Sequence, residues 1–489
     1  MNAKIILYYP PVTPASAFPT WEPLQLLHLS RMFRDTDIVT EIIDGRLYPE
    51  EERPEVIRRA MAEGALCLGI TALTCFQILD ALKVVQEVKK TAPRIPVVIG
   101  GWHATAFPDE TLREEGVDIV VRGQGELSFR EVVEKLRSGH DLGGTKGISW
   151  KKDGVITHEE DRPLAPPGDF PMLLPADFEK LDLQHYQIGN ILFYMSSVGC
   201  PYSCTYCNVN SACRRKWIPL ASETVAHELG GLYDRFHFGE VIFWDNVFFC
   251  DTKRVERICD FLIGRGSPFA WSAHARINEV IGWEDRFLGK VKASGCKSVF
   301  LGVESGSQRI LDRIDKKIRA TDIVPAFQKL RNHGIDVAVN WMVGFPDEHY
   351  RDIVESVRRM RDGLRVYDDD LTRFRMHIYR FVPFPRTPIF EQLTKDETDR
   401  LPKDAKEWGY YIFQKVSDGM EPWKEENTSS LFASTTFYLW KAYLQEGVPF
   451  TLRRRLLRML SRARIKTGFL KLPVEWWLWK RKMRHEARV

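Results

Sequence analysis

From residue 3 to residue 140, short β-branched runs alternate with stretches in which apolar residues recur every three or four positions. That alternation is the pattern of an open parallel α/β sheet. It predicts strands at Ile5–Tyr9, Ile38–Ile43, Ala65–Ala72, Ile95–Ile99 and Asp118–Val121. Between the third and fourth, Gln77–Thr91 carries Ile78, Leu82, Val85 and Val88 on one helical face. After the fifth, Glu126–Arg137 does the same with Leu127, Val132, Val133 and Leu136. The expectation is a Rossmann-like domain over 1–140, in which ligands bind at the carboxyl ends of the strands.

Residues 141–187 hold Gly143-Gly144, Pro163, Pro166-Pro167, Pro171 and Pro175, which reads as a linker with one hairpin. A second strand–helix alternation fills 188–388. Its predicted strands are Leu192–Val198, Glu240–Asp245, Ala270–Arg276, Ser298–Glu304, Asp336–Val343 and Arg373–Val382, with helices such as Ser222–Arg235, Thr252–Ile263 and Thr321–Asn332 between them. Six units predict a partial (β/α)6 barrel rather than a closed eight-fold one. From 389 to 489 strand signals fade and the pattern turns helical, aromatic and basic. The fold class expected is therefore α/β: a Rossmann-like domain, a linker, a partial barrel and a helical carboxyl-terminal region.

Composition changes this picture little. With 489 residues, 44% hydrophobic and 28% charged, the chain has the make-up of globular domains and ample material for a core. Met1-Asn2-Ala3-Lys4 runs straight into an apolar strand, without the hydrophobic segment of a secretory signal. No apolar run approaches the ~20 residues that span a bilayer. Nine cysteines, an odd number, fit free thiols and a metal site in a reducing compartment better than a disulfide framework. These features predict a cytoplasmic location. Charge is more telling by region: from Arg453 to Val489, 13 Lys and Arg face two Glu, a local surplus of +11 that leaves −7 for residues 1–452 within the total of +4.

The strongest chemical signal is Cys200-Pro-Tyr-Ser-Cys204-Thr-Tyr-Cys207, placed just after an apolar strand. Three thiolates suit three irons of a cubane cluster and leave the fourth iron open to a chelating ligand. A zinc site, with Cys213 as a fourth ligand, is the alternative, although no second CxxC or paired histidine lies nearby. The other cysteines, Cys67, Cys75, Cys213, Cys250, Cys259 and Cys296, are scattered and read as small buried hydrophobes.

On these residues the chain resembles the radical S-adenosylmethionine superfamily. The resemblance makes Cys200, Cys204 and Cys207 ligands of a four-iron, four-sulfur cluster, and it extends along the chain. Tyr206 matches an aromatic position beside the adenine. Asp245, within Phe243-Trp-Asp245-Asn246, resembles the end of the second barrel strand. Arg276 ends the third, and Glu304 and Ser305, within Gly302-Val-Glu304-Ser305-Gly306-Ser307, end the fourth, at positions that contact the methionine carboxylate and ribose. Gly344 and Pro346, within Gly344-Phe345-Pro346-Asp347-Glu348, resemble a turn near the adenine. Taken singly, a carboxylate or arginine at a strand end is more often solvated or capping.

The amino-terminal residues resemble the cobalamin-binding domain that precedes the barrel in one subgroup. Thr71 in Gly69-Ile70-Thr71, Gly100, Gly101 and His103 in Gly100-Gly101-Trp102-His103, and Gly123, Gln124 and Glu126 in Gly123-Gln124-Gly125-Glu126 match its strand-end loops in order. Glycines there let backbone approach a bulky flat ring. Pro23-Leu-Gln-Leu-Leu-His-Leu resembles the first helix of that domain. The chain departs at Gln124, where glutamate is usual, and at Pro385-Arg386-Thr387, where glycine usually follows the proline. No Asp-x-His-x-x-Gly occurs, so the resemblance implies cobalamin with a weak or absent protein ligand, the Thr71–Phe76 loop lying at its lower face. His103 also reads as an ordinary hydrogen-bonded loop histidine, and the domain as a purely structural Rossmann unit.

The resemblance implies a cobalamin-dependent methyltransferase that methylates an unactivated carbon using methylcobalamin and a 5′-deoxyadenosyl radical. It implies S-adenosylmethionine as cofactor and an external electron donor such as flavodoxin or ferredoxin. Two alternatives stay open: an anaerobic oxidative cyclase of tetrapyrrole type, and a non-enzymatic zinc-binding adaptor. The substrate expected is a small molecule, with a lipid or tetrapyrrole compatible with the aromatic tail. That tail, Arg453-Arg454-Arg455-Leu456-Leu457-Arg458 and then Trp476-Trp477-Leu478-Trp479-Lys480-Arg481-Lys482, reads either as a helical cap or as peripheral membrane contact. No nucleic-acid reading module accompanies the charge.

Overall fold

The computed structural model describes residues 3–12, 21–62, 64–186, 190–395, 401–411, 452–467, 474–475 and 477–478. The described residues divide into two compact units: those within 1–201, 207–246 and 384–420, and those within 202–206, 247–383 and 421–489.

In the first unit the strands are β1 Ala3–Tyr9, β2 Ile38–Asp44, β3 Ala65–Thr71, β4 Val97–Gly100, β5 Ile119–Val121, β6 Ile148–Lys152 and β7 Val155–His158. They form one sheet in the order β2-β1-β3-β4-β5-β6-β7. The first five run parallel, and the chain order reverses between β1 and β3, the switch point where doubly wound sheets bind ligands. Strand periodicity explains the two faces. Ile6, Tyr8, Leu68, Ile70 and Ile99 point to one core with Ile78, Leu82, Val85 and Val88 of the helix Phe76–Thr91. Ile5, Leu7, Val98, Ile119 and Val121 point to the other, against Phe129, Val132 and Val133 of the helix Glu126–Ser138. Each such aliphatic side chain contributes roughly 1.5–3 kcal/mol on full burial.

The proline-rich stretch is more than a connection. Its hairpin, β6 and β7, adds antiparallel to β5, so the sheet is mixed and has seven strands rather than the five expected.

The six strands expected next occur at β8 Ile191–Tyr194, β11 Glu240–Phe243, β12 Ala270–Ala275, β13 Cys296–Glu304, β14 Asp336–Val343 and β15 Phe374–Arg380, separated by helices that include Ser222–Phe236, Thr252–Gly264, Ile323–Asn332 and Tyr350–Val366. The class is α/β, as expected: a Rossmann-like domain followed by a partial (β/α)6 barrel. One strand departs. The run 192–198 breaks into β8 and β9 Ser197–Gly199, and β9 pairs antiparallel with β10 Trp217–Pro219. The reason is one long-range hydrogen bond: the Ser196 amide donates to the Asp245 carboxylate at 3.2 Å, which takes it out of a strand ladder.

Within the first unit, β8 and β11 pair in parallel. Within the second, β12, β13, β14 and β15 pair in parallel in that order.

The carboxyl-terminal region is helical where described, at Pro388–Thr394, Ala405–Tyr410 and Leu452–Thr467. The short helix Ala405–Tyr410 belongs to the first unit. Its Trp408 stacks on Phe107 at 4.3 Å, and Gly409 sits so close to Leu79 that an added Cβ would be 2.5 Å from Leu79 Cγ. Trp476, Trp479 and Lys480 to Lys482 lie outside the described residues, as do the side chains of Arg453 to Arg455. No helix among the described residues is long and apolar enough to cross a membrane.

Candidate functional site

In the first unit the strand ends converge on a cavity of about 310 Å³. Thr71, Gly100, Gly101, Gly123, Gln124 and Glu126, predicted from three separate loops, all line it. Backbone forms much of the wall. Gly101 has φ +94°, and a Cβ there would lie 2.7 Å from the Ala72 carbonyl oxygen, so a larger residue would both strain and crowd the turn. Gly69 is similarly hemmed in by Leu7 and Phe129.

Gln124, the departure from the usual glutamate, has a structural reason. Its Oε1 accepts from the Ala165 amide at 2.8 Å, and its Nε2 donates to the Ala165 carbonyl at 3.3 Å. A carboxylate could make only the first of these bonds.

His103 does not line the cavity. It is fully buried, its ring packs against Phe107 at 5.5 Å, Nδ1 shares a hydrogen bond with Thr74 Oγ1 at 3.2 Å, and Nε2 has no partner. Burial pushes its pKa down to about 3.

The cavity also takes in residues whose roles the sequence did not reveal: Gln25, His28 and Arg31. Gln25 and His28 lie in the stretch matched to the first helix, observed at Leu24–Ser30, and Arg31 directly follows it, but nothing singled out that inner face. The His28 Nε2 is buried without a partner, and burial, with Arg31 nearby, holds the imidazole neutral well below its ordinary pKa. Burial conversely raises Glu126, against the lowering pull of Arg31.

The thiol loop follows β9. Gly199 enters it at φ +85°, with the Lys216 carbonyl only 2.1 Å from where a Cβ would stand. Asp245 is buried and accepts from Ser196 Oγ at 3.1 Å as well as from Ser197 Oγ, so it anchors the segment leading into the loop. Cys200 and Cys207 are half-buried and Cys204 is buried. Cys213 is close enough to Cys200 and Cys207 that, after burial, their charges are the remaining causes pushing its thiol up to about 11. Among the described residues no three His, Cys, Asp or Glu side chains are gathered as a ready-made ion site. In sites of this kind binding assembles the ligands, and thiols convert to thiolates as the metal arrives.

In the second unit, Arg276 follows β12. Its guanidinium lies 3.8 Å over the Tyr202 ring, Nη1 stands 3.4 Å from Cys204 Sγ, and Nη2 donates to the Lys316 carbonyl. Burial pulls the Arg276 pKa down, and the Cys204 sulfur and Tyr202 more than reverse it. Tyr202 in turn donates to Glu279 at 2.8 Å.

Glu304 sits at φ +67° and is buried. It accepts from Lys316 Nζ at 2.8 Å and from the Tyr206 hydroxyl at 3.0 Å. Lys316 was not anticipated; it lies 12 residues from Glu304 and carried no motif. Ser305 is fully buried against Ser356, at 3.3 Å between hydroxyls. Gly344, at φ +97°, donates its amide to Glu348, and Phe345, before the buried Pro346, meets Tyr206 edge-on at 5.9 Å.

A glycine-walled cavity at a doubly wound sheet's strand ends and a three-thiol loop before a (β/α) succession together define a class. Family comparison agrees: residues 12–133 match the B12 binding domain and residues 194–360 the radical SAM superfamily. The chain belongs to the radical SAM enzymes that carry a B12 binding domain. An uncharacterized methyltransferase of Pyrococcus horikoshii is 31% identical over 394 residues, covering 79% of this chain and 82% of that one. The anaerobic magnesium-protoporphyrin IX monomethyl ester cyclase of Rubrivivax gelatinosus is 25% identical over 415 residues, covering 82% and 71%. In fold, the chain resembles the radical S-adenosylmethionine methyltransferase TsrM from Kitasatospora setae, solved with cobalamin and a 4Fe-4S cluster, with a TM-score of 0.69, 15% identity and full coverage of both chains.

Membership makes cobalamin, S-adenosylmethionine and a 4Fe-4S cluster the cofactors, and sets aside the zinc adaptor. The residues fit them. Three soft sulfur donors suit iron, and a wall that tolerates no added Cβ at Gly101, with an unpartnered buried His28 nitrogen in its lining, suits a large ring edged with amides.

Proposed function

We propose that this enzyme transfers a methyl group to an unactivated carbon of a small-molecule substrate. The observation that carries this reading is the joint presence, in one chain, of the glycine-walled cavity and the thiol loop with Arg276 at the Cys204 sulfur. Bound together, the cofactors supply a methyl group and the one-electron chemistry that activates a C–H bond. Cys200, Cys204 and Cys207 would hold three irons. Thr71, Gly100, Gly101, Gly123, Gln124 and Glu126 would cradle the corrin, with His103 supporting the loop from beneath.

Arg276, Glu304, Ser305, Tyr206, Gly344, Pro346 and Asp245 would shape the S-adenosylmethionine site. Arg276 and the buried Lys316–Glu304 pair supply fixed charge there, and Asp245 and Ser305 act by holding backbone. Buried charges already paired need little reorganisation when a charged ligand arrives. We also propose domain bounds at 1–140, 141–187, 188–388 and 389–489, a flavodoxin- or ferredoxin-type electron donor and a cytoplasmic setting. Leu456, Met459 and Leu460 stand exposed beside the basic residues of helix Leu452–Thr467, which supports peripheral membrane contact through the tail.

The test is anaerobic reconstitution with iron, sulfide and cobalamin, followed by mass analysis after incubation with S-adenosylmethionine and candidate substrates. S-adenosylhomocysteine and a methylated product are expected. The relative in Rubrivivax gelatinosus gives the second reading, an oxidative cyclase. Formation of 5′-deoxyadenosine and methionine alone, with a product gaining no methyl group, would establish that reading instead.

A further inference from the structure

The first unit contains a second, larger cavity of about 1080 Å³. It shares Leu73, Trp102, Thr105, Gly123 and Gln124 with the glycine-walled one. Its charge is lopsided: Arg122, Arg162, Arg214, Arg215, Lys216 and Arg386 face only Asp161 and Glu391, a surplus of four positive charges. Four of the six are engaged by this unit's own groups. Arg162 is bridged to Glu131, while Arg122 and Arg214 share Asp161 at 3.1 and 2.7 Å. The exposed side chains of Arg215 and Lys216 make no ion pair among the described residues. Arg386 uses its Nε on the Ala106 carbonyl at 3.1 Å.

Backbone conformation sharpens the point. Arg214, Arg215 and Arg386 have φ of +47°, +58° and +61°, a region that favours glycine. Two separate loops therefore hold arginines in strained backbone on one cavity wall, and strain of this kind persists where it serves a site. Trp102 and Phe384 give the same cavity an apolar side.

A single carboxylate would be satisfied by one guanidinium fork, whereas cations from two loops match several phosphoryl oxygens. We propose that this cavity receives a substrate bearing a phosphoryl group of at least two negative charges, held by Arg215, Lys216 and Arg386, with its apolar part against Trp102 and Phe384. The inference rests on the methyl-transfer reading and names the substrate class for it.

The test is calorimetric titration of the full-length, cobalamin-loaded protein with inorganic pyrophosphate, with malonate as the carboxylate comparison. Pyrophosphate is expected to bind more tightly than malonate, and more weakly as potassium chloride is raised. Arg215→Gly and Arg386→Gly, which relieve strain and so preserve the fold, should each weaken pyrophosphate binding about ten-fold, the usual effect of losing one charge-assisted contact. Their cobalamin absorption spectra should match that of the parent. Absence of pyrophosphate binding, equal affinity for malonate, or unchanged affinity in both variants would overturn the proposal. So would variants that shed cobalamin while still binding pyrophosphate, because the cations would then serve the cofactor. A parent protein that retains no cobalamin would instead refute the methyl-transfer reading, and the same titration on it still decides the anion site.

Discussion

Where the proposed ligand sites lie, the two units are built by opposite means. In the first, the cavity is opened by omission: glycines at 69, 100, 101, 123 and 125 remove side chains so that backbone itself forms the wall. In the second, the space is filled by an interlocked polar set in which Arg276 covers Tyr202 and nears Cys204, while Lys316, Glu304 and Tyr206 share hydrogen bonds. A broad neutral ring needs area and close approach, which only missing side chains give. A compact zwitterion needs opposed charges held in place, and buried charges persist only when paired. Defects should follow suit: the first region fails by crowding, the second by leaving a charge alone.

The largest expected effect breaks the comparison at its root. Replacing Cys200, Cys204 and Cys207 together by alanine should abolish both bound iron and 5′-deoxyadenosine formation, read by iron assay and chromatography. Undiminished levels of either would remove the basis of the functional reading. Next, Lys316→Met should destabilise the fold by roughly 3–5 kcal/mol, the effect of stranding a buried partner charge. Urea unfolding measures it, and the double change Lys316→Met with Glu304→Gln should recover part of the loss.

Gly101→Ala tests the opposite failure. It should cost roughly 1–3 kcal/mol for a left-handed non-glycine residue and lower cobalamin retention, read by absorbance after gel filtration, while leaving iron content unchanged. A change visible only on acidification is the pH dependence tied to His103. With its folded pKa near 3 and an unfolded value near 6.5, the unfolded chain binds the proton first, so stability present above about pH 6.5 is lost on acidification towards pH 3. The slope is at most about 1.4 kcal/mol per pH unit, and His103→Gln should flatten it in pH-dependent melts. Last, Gln124→Glu should destabilise by about 1 kcal/mol through the lost bond to Ala165; no change would show that the bond is dispensable.

The difference between the regions also explains what could be read from the sequence. Glycine loops and cysteine spacing are local, so the six cavity residues and the thiol loop were visible as motifs, as were the periodic strands and helices. Long-range pairing was not. Nothing near Lys316 announces Glu304 and Tyr206 as partners, and His28 on the helix Leu24–Ser30, with Arg31 just after it, meets the cavity only once the helix is laid on the sheet. The single strand expected at 192–198 failed for the same reason, because the group that interrupts it, Asp245, lies 49 residues away. Likewise a hairpin somewhere within 141–187 was legible, but neither its residues, 148–158, nor the sheet edge it joined were.

The helix Ala405–Tyr410 has a practical corollary for anyone shortening the gene. Trp408 is 2% exposed against Phe107, and Gly409 rests on Leu79. A protein ended at the apparent close of the barrel would bare Ile78, Leu79 and Phe107 on the outside of the amino-terminal half. Such a product should turn up in the insoluble fraction with its catalytic loops intact, and the failure would be mistaken for a cofactor defect.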